Sequence, residues 1–97
     1  MPEIVIRRTV VVTDPMGVHA RTALAITKIV GRGKSQVTLV NKDRQAAATE
    51  VLQIMTLVVE PGEQVEIEAV GPDAHQVADS LEPLFAGEFD DQTQESA

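Results

Sequence analysis

Two histidines and no cysteine limit the chemistry open to this chain. His19 follows Asp14-Pro15-Met16-Gly17, a turn carrying two strong chain punctuators, and directly precedes a stretch that favours a helix. A residue placed there occupies the N-cap or first turn. Backbone N–H groups at that point lack intrahelical partners, and the helix dipole favours negative charge. An imidazole so placed is a nucleophile beside a ready anion site. Arg21, two residues on, adds a permanent cation that can pair with phosphate oxygens. The same spacing also fits a histidine that merely caps a helix next to a solvated arginine, and spacing alone leaves both readings open. His75 lies beside Asp73 and Gln76 within a later helix and reads as a solvated surface residue. With the histidines far apart and no cysteine, no metal site is expected. Neither a P-loop nor a dinucleotide glycine pattern is present.

Little material is available to position His19. Ninety-seven residues make one domain, which hides roughly 60–65% of its unfolded surface and has no room for a deep enzyme cleft. A hydrophobic share of 43% against 24% charged residues excludes wholesale disorder. Only two aromatic residues occur, both Phe, so the core must be Val, Ile, Leu and Ala. No aromatic platform exists for stacking nucleobases. The absence of cysteine fits a reducing cytosol, and no apolar run approaches the ~20 residues of a membrane span. Glu3, Arg7 and Arg8 stand where an export signal needs an apolar stretch, so a cytoplasmic protein is expected.

Charge is unevenly spread. All eight basic residues lie between Arg7 and Arg44, only three acids (Glu3, Asp14 and Asp43) precede Gln45, and twelve acids with no base follow from Gln45 onward. The acidic total, net −7, argues against nucleic acid as a partner. The first half can still offer a basic surface to an anion or an acidic protein.

The elements follow from periodicity and turn residues. Ile4 to Thr13 is β-branched almost throughout, with Ile4, Ile6, Val10 and Val12 on one face, which predicts a strand. Ala20 to Val30 predicts a helix stopped by Gly31 and Gly33. Gln36 to Val40 and Gln45 to Ala48 read as a hairpin turning at Asn41-Lys42-Asp43-Arg44. A short helix is expected from Glu50 to Val58, ended by Pro61-Gly62. Gln64 to Val70 alternates as a half-exposed strand, and Gly71-Pro72-Asp73 opens a last helix that Pro83 must kink or end. Residues 1–89 form the domain and residues 90–97 a frayed acidic tail. The order β-α-β-β-α-β-α predicts a two-layer α+β fold.

At ~100° per residue, Ala23, Ile26 and Val30 gather on the core side of the first helix. Leu24 stands exposed between Arg21 and Lys28. On the second helix Ile54, Leu57 and Val58 form one cluster, and Val51, Leu52 and Met55 another. A short helix over an open sheet cannot bury both. Either the last helix covers the second cluster or it is an exposed apolar patch of the kind that marks a partner surface.

Gly17-Val18-His19-Ala20-Arg21 resembles the active-site signature of the histidine-containing phosphocarrier proteins, HPr, of the bacterial phosphotransferase system. The resemblance runs from Ile4 to about Phe89 and includes the element order, the Leu52-Gln53-Ile54-Met55-Thr56-Leu57 segment and the Pro61-Gly62 turn. It implies an open-faced sandwich with a four-stranded antiparallel sheet and three helices on one face. It also implies a monomeric phosphorelay without cofactor or metal. His19 takes a phosphoryl group on Nδ1 from Enzyme I, charged by phosphoenolpyruvate, and passes it to an Enzyme IIA-type acceptor. The matching phosphate ligands are Ala20, Arg21 and Thr22, and the matching docking face is Ala20, Leu24, Val51, Leu52 and Met55 with Lys28 at its rim.

Three positions depart from the family pattern. Thr22 stands where proline is usual, Met16 where a small polar residue is common, and Glu50 at the regulatory serine of Gram-positive members. Glu50 also suits a first helical turn as a dipole-complementing acid. Gly71-Pro72, Leu84-Phe85 and Phe89-Asp90-Asp91 look like the nitrogen-related branch. The alternatives are a regulatory protein that keeps the fold without the relay, and a ferredoxin-like small-ligand regulatory domain, which leaves the histidine-arginine helix start unexplained.

Overall fold

The computed structural model describes residues 3–89, and the expected acidic tail at 90–97 lies outside them. Four strands, β1 (Val5–Val11), β2 (Gln36–Asn41), β3 (Arg44–Ala47) and β4 (Gln64–Val70), form one antiparallel sheet in the order β1-β4-β2-β3. Alternation makes it one-sided. Val65, Ile67 and Ala69 of β4 are buried, while Glu66 and Glu68 stay half-exposed. Register aligns the inward residues across strands: Val10 faces Val65, Leu39 faces Ile67, and Ala46 faces Leu39.

Three helices cover that face: α1 (Ala20–Arg32), α2 (Val51–Thr56) and α3 (Ala74–Leu81). They bury Ala23, Ile26 and Val30 from α1, Ile54 from α2, and Val77, Ala78 and Leu81 from α3. The result is the two-layer α+β fold expected from the element order, in the open-faced form that the family resemblance implies. Pro83 ends α3 by turning the chain into a 3₁₀ turn, Glu82–Ala86, which drops Phe85 into the core as its largest side chain. Among the described residues no helix is long and apolar enough to cross a membrane.

Two expectations change. The first strand runs from Val5 to Val11 rather than from Ile4 to Thr13, so Ile4 precedes it and is exposed. The second helix stops at Thr56, not Val58. Val58 adopts φ 51° and is 62% exposed, so it leaves the Ile54–Leu57 cluster, and Val59 is buried instead. A β-branched residue in the left-handed region is strained, at a cost of roughly 1–3 kcal/mol. The reversal sends the Val59 carbonyl to the Val18 N–H at 3.0 Å, pinning the loop that carries His19.

A second anchor joins α3 to the loop before β2. Asp73 accepts the Ser35 hydroxyl and the Lys34 N–H (2.9 Å). Gly71, at φ 151°, backs onto Ser35 so closely that a Cβ would stand 2.5 Å from its Oγ.

Phe85→Ala should destabilise the fold by about 3–5 kcal/mol in denaturant titration, since its cavity opens at the centre of an otherwise aliphatic core. The Ser35 hydroxyl, helped by the Lys34 N–H, holds the Asp73 carboxyl below its ordinary value. The stability this gives is full above the unfolded value of 3.8 and is lost as the pH falls through the lower folded value. Asp73→Asn should flatten that acid-side loss in thermal melts taken down the pH series.

Candidate phosphohistidine site

The turn from β1 into α1 delivers His19 to the N-cap of α1 in an extended conformation (φ −119°, ψ −175°). Gly17 makes the turn possible. It has φ 68°, and a Cβ there would stand 2.5 Å from the Val59 carbonyl oxygen. The Gly17 N–H closes onto the Asp14 carbonyl at 2.9 Å. His19 and Thr22 form a capping box, in which the His19 N–H is donated to Thr22 Oγ1 at 3.5 Å. The His19 carbonyl accepts the Ala23 N–H and starts the helix.

The imidazole is 29% exposed and meets two side chains. Its Nε2 lies 3.2 Å from Asp14 Oδ2. Asp14 is only 6% exposed, and its Oδ1 accepts the Met16 N–H at 2.9 Å. The Met16 N–H holds the Asp14 carboxyl below its ordinary value; burial opposes this, and the bond to His19 adds to it. The second is Phe89, whose ring meets the imidazole edge-on at 6.0 Å between centroids. The Arg21 guanidinium stacks over the same ring, with Cζ 4.5 Å from its centroid.

The other predicted residues fall in three groups. Ala20 and Arg21 are exposed in the first turn, next to His19. Thr22 is wholly buried, with its hydroxyl turned to the His19 N–H. Its expected place among open phosphate ligands is therefore corrected: it caps the helix from inside. Leu24, Lys28, Leu52 and Met55 are exposed, Leu52 at 80%. Val51 is half-buried and packs against the core, so it backs this surface rather than forming it. Glu50 is the exposed N-cap of α2, and its carbonyl accepts the Ile54 N–H at 3.0 Å. Met16 contributes its backbone N–H, and its side chain points to solvent. His75 is exposed on α3, away from any such constellation.

Neither Asp14 nor Phe89 is among the site residues expected from the sequence. A buried acid five residues before a histidine leaves no periodic trace, although its place in the turn with Pro15 and Gly17 was visible. Phe89 comes back to His19 only through the chain reversal at Gly87, which has φ 83°. Among the described residues no cluster of three or more His, Asp or Glu side chains could hold a metal ion. Ion pairs there use Arg7, Arg8 and Lys42, against Glu68, Asp79, Glu82 and Glu63. Arg21, Lys28, Arg32 and Lys34, all on α1 or just beyond it, are in none of them.

Comparison with known proteins agrees with this arrangement. A family model described as the phosphotransferase-system HPr component phosphorylation site matches residues 6–87. The chain is 34% identical over 85 residues to the phosphocarrier protein NPr of Proteus mirabilis, covering 87% of this chain and 94% of that one. It is 31% identical over 84 residues to the phosphocarrier protein HPr of Cupriavidus necator, covering 87% and 94%. In fold it is similar to the phosphocarrier HPr of Bacillus anthracis, with TM-score 0.77 and 21% identity over 82% of this chain and 95% of that one. A four-stranded one-sided sheet, a histidine at the cap of its first helix and a family match across both place this chain in the HPr/NPr family of phosphotransferase-system phosphocarriers.

Proposed function

We propose that this protein relays a phosphoryl group through His19, from an Enzyme I-type donor to Enzyme IIA-type acceptors. The observation that carries this reading is a partly exposed imidazole at a helix N-cap, with Arg21 in the first turn beside it. The ring offers a lone pair to phosphorus. The N–H groups of Ala20 and Arg21 and the Arg21 guanidinium receive the incoming oxygens. Arg21 rests on Phe89, a stacked geometry that keeps a planar cation near the site without tying up its donors. The carrier holds the phosphoryl group only in transit, as a cytoplasmic monomer, and chemistry at both ends belongs to its partners. The NPr relatives support the nitrogen-related branch as its setting.

Partners dock in turn on the adjoining surfaces of α1 and α2. Ala20, Leu24, Leu52 and Met55 supply apolar area, Val51 supports it from below, and Lys28 adds charge at the rim. Glu50, at the position of the family's regulatory serine, carries no hydroxyl to phosphorylate and places a fixed negative charge at the start of α2.

Incubation with Enzyme I and phosphoenolpyruvate should add one phosphoryl group, stable in base and labile in acid, by mass spectrometry. His19→Ala should abolish it. A label that persists in that variant would refute the assignment, and a protein that binds Enzyme I without ever being labelled would be a regulator rather than a relay. Leu52→Glu and Met55→Glu should leave stability within about ±0.5 kcal/mol. They should weaken Enzyme I binding by about 2 kcal/mol or more where the residue is a central anchor. Unfolding and titration of the same variants separate a docking role from a core role.

A further inference from the structure

We infer that Asp14 is a positioning residue for the phosphoryl-accepting histidine, holding the neutral His19 ring as the Nε2–H tautomer so that Nδ1 carries the lone pair; this rests on the relay reading above. The geometry leaves the carboxylate few alternatives. Asp14 is 6% exposed, its Oδ1 is occupied by the Met16 N–H at 2.9 Å, and its Oδ2 stands 3.2 Å from His19 Nε2. Its backbone is fixed as well. The Asp14 N–H donates to the Phe85 carbonyl at 3.1 Å, and its own carbonyl accepts the Gly17 N–H at 2.9 Å. Gly87 closes the other side, where a Cβ would come within 3.0 Å of Oδ2.

An ionised carboxylate only accepts hydrogen bonds, so the nitrogen facing it must be the one that carries hydrogen. In a neutral imidazole the other nitrogen then holds the free pair. During transfer the Nδ1 pair forms the bond to phosphorus, and the donor's leaving atom keeps the electron pair of the bond that breaks. The ring retains its Nε2 hydrogen and becomes cationic, and the Asp14 charge 3.2 Å away offsets that charge. Return transfer reverses each step. No proton leaves the ring in either direction.

Asparagine at this position cannot do the same. It has one accepting oxygen and one donating nitrogen, so its nitrogen must face either the Met16 N–H or His19 Nε2. Ring-nitrogen NMR at alkaline pH should show His19 as the Nε2–H tautomer, with exposed His75 as internal comparison. Asp14→Asn should shift His19 toward the Nδ1–H form and slow phosphorylation by Enzyme I roughly 10–100-fold, the loss typical for partners that orient metal-binding imidazoles. Thermal unfolding confirms that the variant is folded. An Nδ1–H ring in the unsubstituted protein overturns the inference, and this measurement decides the matter even where Asp14→Asn fails to fold. A folded Asp14→Asn protein that switches tautomer yet is phosphorylated at the normal rate overturns it too. Failure of the unsubstituted protein to accept phosphate overturns the relay itself, and an Nε2–H ring found alongside would show that the Asp14 contact was not what failed.

Discussion

One buried carboxylate holds together the turn on which the site depends. A charge taken out of water is costly unless hydrogen bonds replace its hydration, and Asp14 finds those replacements within five residues of itself. The Met16 N–H and the His19 ring serve its two oxygens, while the Gly17 N–H and Phe85 carbonyl serve its backbone. Each of these partners is thereby located. The turn cannot open without stranding the charge, and the imidazole cannot rotate without losing its partner. A six-residue stretch thus gives the imidazole a defined position.

The rest of the molecule serves that turn from two directions. Val58 takes a strained backbone conformation, and the reversal lets the Val59 carbonyl receive the Val18 N–H from below. Gly87 turns the chain after the 3₁₀ segment, so that Phe89 returns to lie against both His19 and Arg21. Val58 and Gly87 thus bear on the site, as Gly17 does within its turn, while Lys42, Gly62 and Gly71 take positive φ in turns elsewhere. Charge follows the same division. Several cations of the sheet are neutralised by the acidic second half, as Arg8 is by Asp79 and Glu82, whereas among the described residues the α1 cations are in no ion pair. Arg21, in the helical turn next to the histidine, is thus among the cations of an acidic protein that the described acids leave out of ion pairs.

The sheet was legible because alternation is a local property. Val65, Ile67 and Ala69 point inward for the same reason that Glu66 and Glu68 do not, and no distant contact is needed to see it. The histidine's place at a helix start was legible from the turn residues before it. Helix ends and side-chain destinations were less so. Val58 has the right type and spacing for the core, but a tertiary hydrogen bond from Val18 draws the next carbonyl away and turns Val58 outward. That Asp14 and Phe89 meet His19 becomes visible only when the fold brings together residues 14, 19 and 89. Partnerships of that kind depend on topology, which periodicity does not report.

Thr22 shows how a departure from the family pattern can keep the same physical end. Proline in a first helical turn restricts the backbone by fixing φ, and it gives up an N–H that the helix does not need. Threonine restricts neither. In this chain it is buried completely, and its hydroxyl accepts the N–H of His19 itself. The rigidity that proline would build into the chain is here supplied by a capping bond and by packing against α1's core side. That substitution also moves the dependence elsewhere. A proline-stiffened turn keeps its shape without help, whereas a threonine-capped one holds only while the hydroxyl stays sealed from water. The completeness of Thr22's burial, beneath a histidine that is itself partly open, is what lets a non-proline helix start serve as a fixed platform for His19.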